Sequence, residues 1–86
     1  MIHSSTVAAQ LATAGLDRVT FYNEGPGTAS ILIGAHPVTA DAYTLKLAVG
    51  GFVEFKDIEG IVSVAVSANG TRLSVQGVSS FGLATL

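Results

Sequence analysis

Apolar residues in this chain recur at every second position, and turn-forming residues interrupt the pattern before any stretch reaches helical length. In Arg18 to Asn23, Val19 and Phe21 alternate with Thr20 and Tyr22. Ala29 to Gly34 carries Ile31 and Ile33 on one face and Leu32 on the other, and Tyr43 to Leu47 sets Tyr43, Leu45 and Leu47 against Thr44 and Lys46. Phe52 to Lys56 opposes Val53 and Phe55 to Glu54 and Lys56. Ser63 to Ala68 opposes Val64 and Val66 to Ser63, Ala65 and Ser67, and Arg72 to Gln76 opposes Leu73 and Val75 to Arg72, Ser74 and Gln76. Successive side chains on a strand point to opposite faces, so each segment reads as a strand with one buried face. Ten Val, five Ile and eight Thr make 23 of the 86 residues β-branched. Such side chains are stiff at χ1 and pack well on a pleated surface.

The interruptions are Asn23-Glu24-Gly25-Pro26-Gly27, Gly34 to Pro37, Gly50-Gly51, Asp57 to Gly60, Asn69-Gly70 and Gly77 to Ser80. Turn signals about ten residues apart suit a sandwich or barrel. Asn69-Gly70 lies between two alternating runs, and both residues tolerate the positive φ of a type I′ turn, so a hairpin is expected there. Thr6 to Ala14 is the only Ala-rich stretch, and an extended arm or edge strand competes there with a helical turn. The expected architecture is all-β, a small antiparallel β-sandwich or jelly-roll-like barrel of about six to eight strands with an extended N-terminal arm. Residues 1–86 form one domain, with 1–14 as arm or edge strand, 15–78 as β core and 79–86 as tail or edge strand.

A chain of this mass, 8.7 kDa, leaves about 4,700 Å² exposed when folded. Charged residues are only 12% of the sequence, about half the usual density, while hydrophobic residues are 49%. Much of the exterior must be apolar or neutral, and large exposed apolar patches mark interaction sites. The chain therefore reads as a subunit. The formal charge is -2, and Arg18, Lys46, Lys56 and Arg72 are scattered singly, which makes no basic stripe for phosphates; no nucleic-acid partner is expected. There is no Cys for a disulfide framework or a thiolate zinc site. Met1 to Leu16 has neither a basic n-region nor a continuous apolar h-region, and no apolar run is long enough to span a bilayer, so neither export by a signal nor membrane insertion is expected.

Site chemistry is sparse. His3 and His36 are the imidazole bases, and His36 with Asp41 and a serine makes a nominal triad. The serines are too numerous for that match to carry information, and His36-Pro37 reads as a solvated turn, while His3 falls in a terminus expected to be mobile. Asp57 and Glu59 share a face of an extended backbone, but no third acidic ligand is local, and the pair reads as a polar turn. Gly25-Pro26-Gly27 lacks the Lys, the hydroxyl residue and the helix of a phosphate loop. Phe21, Tyr43, Phe52 and Phe55 read as core or inter-sheet packing, which leaves Tyr22 as the candidate exposed platform. No catalytic residue, metal ligand or cofactor is assigned.

The order of segments carries more than any single residue. Arg18-Val19-Thr20-Phe21-Tyr22-Asn23-Glu24-Gly25 is followed by a strand ending in Ile33-Gly34, by Pro37-Val38-Thr39-Ala40, and by Leu45 to Gly51 before a Phe-rich strand. Ile61 to Ser67 and Gly70-Thr71-Arg72-Leu73-Ser74-Val75 complete the series. Over Arg18 to Gln76 this resembles small virion accessory proteins of tailed bacteriophages, among them capsid decoration and head-fibre proteins. Leu47-Ala48-Val49-Gly50-Gly51 departs from the pattern, because no acidic residue follows the Gly. The resemblance implies a β-sandwich or jelly-roll-like domain, often a homotrimer. Such a protein sits on the outside of a phage head as decoration or cement and holds neighbouring copies of the major capsid protein by protein-protein contacts, without catalysis. The alternative it implies is a head-fibre, knob or tail accessory module that binds a host glycan or receptor. Either way the protein is made in the host cytoplasm and ends on the virion. Apolar residues outside the alternating core, Ile2, Val7 and Leu11 near the N-terminus and Phe81, Leu83 and Leu86 near the C-terminus, are the expected contact residues.

Overall fold

The computed structural model of the protein describes residues 1–13, 16–34, 37–39, 42–56 and 60–79. Among them are eight strands and no helix: β1 (Ile2–His3), β2 (Ala9–Ala12), β3 (Arg18–Gly25), β4 (Ala29–Ile33), β5 (Leu45–Leu47), β6 (Phe52–Lys56), β7 (Ile61–Val66) and β8 (Arg72–Val78). They form two four-stranded antiparallel sheets, one in the order β1-β8-β3-β6 and the other in the order β2-β7-β4-β5. β1 pairs with β8, β2 with β7, β3 with β6 and β4 with β5, as in one long hairpin bent at the β4–β5 connection. Rolling that hairpin up adds the β3–β8 and β4–β7 pairings. This is the strand order of a jelly roll. Every connection except β4–β5 crosses from one sheet to the other, so the apolar faces of consecutive strands look at each other across the core.

Val19 and Phe21 of β3 and Leu73 and Val75 of β8 meet Ala29 and Ile31 of β4 and Val62, Val64 and Val66 of β7. Leu11, Leu16 and Leu47 extend this cluster. Phe55 presents its ring edge-on to Phe21, with centroids 5.9 Å apart and planes at 74°, a geometry that contributes about 0.5–1.5 kcal/mol beyond area burial. The accessible surface is 4735 Å², where mass scaling places a compact monomer.

Several local expectations are corrected by the tertiary arrangement. Asn69-Gly70 does form a turn, with Thr71 N–H donating to Ala68 O at 3.1 Å and Gly70 at φ +93°. It is not a hairpin, because β7 and β8 belong to opposite sheets. The turn is docked on the N-terminal segment instead: Thr6 N–H donates to Asn69 Oδ1 at 3.0 Å and Gly70 N–H to Ser4 O at 3.2 Å. Of the expected alternatives that segment takes the edge strand, and it is neither a free arm nor a helical turn. Its residues Ile2–His3 and Ala9–Ala12 close one edge of each sheet. His3, expected in a mobile terminus, is buried opposite Leu73, and its Nε2 donates to Ser5 O at 2.9 Å. Ile33 does not share the burial of Ile31, because β4 outruns β5, whose pairing stops at Leu45 opposite Ile31. Ser63, expected outside, is buried because Val38 lies over it, and Val38 N–H donates to its Oγ at 3.0 Å. Tyr43 and Phe52, expected to pack inside, are exposed: β5 begins only at Leu45, and Phe52 shares the parity of Glu54 and Lys56.

Asn23 ends the inner row of β3 as a fully buried polar hub. Its Nδ2 donates to Gly27 O at 2.8 Å and to Leu47 O at 2.9 Å, while its Oδ1 accepts from Gly25 N–H at 2.8 Å. Its main chain joins the β5–β6 connection, donating to Gly51 O at 2.9 Å and accepting from Gly50 N–H at 2.8 Å. This one residue thus ties the β3–β4 connection to the β5–β6 connection at this end of the sandwich. Gly27 sits between two hydroxyls there: a Cβ would come within 2.5 Å of both Ser67 Oγ and Thr71 Oγ1. Thr71 Oγ1 accepts from Gly27 N–H and Ser67 Oγ from Thr28 N–H, both at 2.9 Å. Gly27→Ala is therefore expected to break at least one of these bonds and to lower stability by about 2 kcal/mol, read as a shift in the urea midpoint at unchanged m-value.

Candidate contact surfaces

The registers of the first sheet line up its outward side chains. Ile2 stands opposite Ser74, Ser74 opposite Tyr22, and Tyr22 opposite Phe52, one row across all four strands β1, β8, β3 and β6. Its apolar members are open to solvent, with Ile2 at 42%, Tyr22 at 43% and Phe52 at 71% exposure. The next rows hold Gln76, Thr20 and Glu54, then Val78, Arg18 and Lys56. The outer face is thus apolar toward one end of the sandwich and, Val78 excepted, polar or charged toward the other. A bulge where β3 passes β8 between Asn23 and Gly25 accompanies the exposed ion pair beyond the apolar row, Arg72 Nε to Glu24 Oε2 at 2.9 Å. Exposed pairs of this kind are worth little in stability.

The outer face of the second sheet is different in chemistry. A groove of about 480 Å³ is lined by Thr6, Thr28, Ser30, Thr39, Ser67 and Lys46 together with the apolar Val38, Ala65 and Val66. Lys46 stands opposite Ser30 in the β4–β5 register, and its Nζ lies 4.5 Å from the centroid of the Tyr43 ring. The groove therefore mixes hydroxyl-bearing and apolar residues with one cation held over an aromatic face.

The contact residues read from the sequence scatter. Ile2 belongs to the exposed row, and Val7, 72% exposed, lies between β1 and β2. Leu11 is corrected: it is 7% exposed and belongs to the core, because β2 is a strand of the chain's own second sheet rather than an arm for a neighbour. Phe81, Leu83 and Leu86 lie outside the described residues, as do His36, Asp41, Asp57 and Glu59. Among the described residues no group of three His, Asp or Glu side chains is placed to hold a metal ion. Phe52 was missed as a surface residue, although its parity with Glu54 and Lys56 was the available signal. The molecule these surfaces define is a jelly-roll domain with one apolar outer row and a separate groove of mixed lining. Searches against protein-family models, curated proteins and solved structures found no match.

Proposed function

We propose that this protein is a non-enzymatic structural subunit that binds the outside of a tailed-phage head and stabilises the capsid lattice through protein-protein contacts. The observation that carries the reading is the Ile2–Tyr22–Phe52 row, Tyr22 and Phe52 exposed side by side and Ile2 exposed beyond Ser74 on the same sheet face. Aromatic side chains held on strands give large contact area at little entropic cost, and a row of them on a chain this poor in charge suits burial against another protein. The phage head as that partner comes from the resemblance over Arg18 to Gln76, and jelly rolls are a common architecture of virion proteins. Binding a repeated lattice would add stability to the small domain by mass action.

The test is to mix the purified chain with undecorated phage heads and measure bound copies by mass. The wild type is expected to bind at a fixed ratio to capsid subunits. Tyr22→Ser combined with Phe52→Ser is expected to reduce binding at least about a hundred-fold while leaving the far-UV circular dichroism unchanged, since neither side chain enters the core. Wild-type protein that leaves the heads undecorated at all concentrations overturns the reading.

The groove on the second sheet favours a second reading, a module that binds a host glycan. Hydroxyls and an aromatic residue beside one cation are groups that can recognise a sugar. Saturable binding on a glycan array that Lys46→Ala abolishes, together with no association with heads, would select this alternative.

A further inference from the structure

We infer that β6 is a self-association edge, through which two copies of this chain pair antiparallel about a two-fold axis at Phe55 and join their first sheets into one. The inference is independent of the proposed function, since it rests on one strand.

Among the described residues β6 ends the first sheet and, at five residues, is the longest of the four edge strands; β1, β2 and β5 have two, four and three. An open edge presents a row of main-chain donors and acceptors that pairs with another strand unless something prevents it. Asn23 N–H donates to Gly51 O in the register that continues through Phe21 opposite Val53 and Val19 opposite Phe55. Hydrogen-bonding direction alternates along a strand, so Val53 and Phe55 turn their main-chain groups toward β3. Phe52, Glu54 and Lys56 turn theirs toward the open edge.

The pleat and the charges then select the register. Side chains on paired strands must share a face, so a two-fold axis can pass only through a residue, not between two. An axis at Glu54 or at Lys56 would place that charge against its own copy. An axis at Val53 would set Phe52 against Glu54. An axis at Phe55 alone places Glu54 against Lys56 of the second copy, and Lys56 against its Glu54, with both pairs at the positions whose main-chain groups face outward. Opposite charges directly across a ladder stabilise it and like charges destabilise it. Within the protomer Lys56 stands opposite Arg18, a like-charge neighbour. In the pair, each Lys56 would lie between Arg18 and the second copy's Glu54, which relieves that repulsion. On the inner face the half-buried Phe55, already packed edge-on against Phe21, would meet its copy across the axis and close the open side of the core.

A single Lys on an edge strand usually serves to keep other chains away. Here the alternation of Glu54 and Lys56 on one face makes the edge complementary to itself instead.

The experiment uses the full chain and reads mass against concentration by sedimentation equilibrium. The wild type is expected to be a dimer that weakens with added salt. Glu54→Lys and Lys56→Glu, each alone, are expected to weaken dimerisation at least about ten-fold, because each turns both cross-axis pairs into like charges. An equimolar mixture of the two variants is expected to restore a dimer, since 54 and 56 are then complementary between unlike chains, and the variant carrying both changes is expected to dimerise on its own. Both positions are exposed, and an unchanged melting transition of the dissociated protomer verifies that each variant is folded. A monomer at every concentration, a dimer or trimer indifferent to the single changes, or a mixture that stays monomeric overturns the inference.

Discussion

Asn23→Leu is expected to destabilise the protein by about 3–5 kcal/mol, because it removes three side-chain hydrogen bonds to main-chain groups at a fully buried position. Gly25 N–H, Gly27 O and Leu47 O all bond the Asn23 amide, and a buried unsatisfied group costs about 1–3 kcal/mol. A domain of this length has about 4–13 kcal/mol of total stability, so the variant is expected to be partly unfolded at 37 °C. Chemical denaturation at 10–20 °C, about where stability is greatest, measures the loss. Asn23→Asp separates lost volume from lost donors, since it keeps the shape and the acceptor. As a carboxylate it can donate to neither Gly27 O nor Leu47 O, and it is a buried charge. As a neutral carboxyl it can donate to one of them. Burial raises the folded-state pKa of such an acid above its unfolded value, so stability relative to wild type is retained at low pH and lost as pH rises through the carboxylate range. A pH-independent difference would show that the hub acts through packing alone.

Phe21→Ala is expected to cost about 3–5 kcal/mol, the usual range for emptying a buried Phe site. Phe21 is fully buried between the two sheets and is the largest side chain in the core. Removing it also removes the edge-on partner of Phe55, which borders the open side of the first sheet. At about 4–8 °C per kcal/mol for a domain of 60–100 residues, the midpoint of thermal unfolding should fall by more than about 12 °C. Thr20→Ala, one residue away on the outer face, is the control, with an expected effect below about 1 kcal/mol. Similar losses at the two positions would mean that the period-two burial of β3 does not describe the protein in solution.

Strand existence was the most legible property of this sequence, because burial on one face leaves a direct trace: Val19 and Phe21, Val64 and Val66, and Leu73 and Val75 all point inward as their alternation predicts. The same rule applied one residue further would have placed Phe52 outside with Glu54 and Lys56. An aromatic side chain reads as core only while its parity is ignored. Leu11 failed in the opposite direction. Nothing local distinguishes an apolar residue awaiting a neighbour from one that completes the chain's own sheet, and its pairing partner Val62 lies 51 positions away.

The polar sites were least legible. Asn23 reads as a turn residue beside Gly25, and only the approach of Gly27 and Leu47 makes it a hub. The Asn69-Gly70 turn was visible because φ preference is local, but the sheet joined by the strand after it depends on where β1 and β3 already lie on either side of β8.

Alternation and turn residues by themselves determine that this chain is all-β, that it has short strands with one apolar face each, and that too few charges remain to cover its exterior, since these depend on neighbours only a few positions apart. Tertiary structure alone decides that the strands roll into β1-β8-β3-β6 and β2-β7-β4-β5, that Ile2, Tyr22 and Phe52 form one exposed row, and that β6 ends a sheet. The physical reason is that pairing and register are set by contacts between residues far apart in the chain, whose free energy no short stretch of sequence contains.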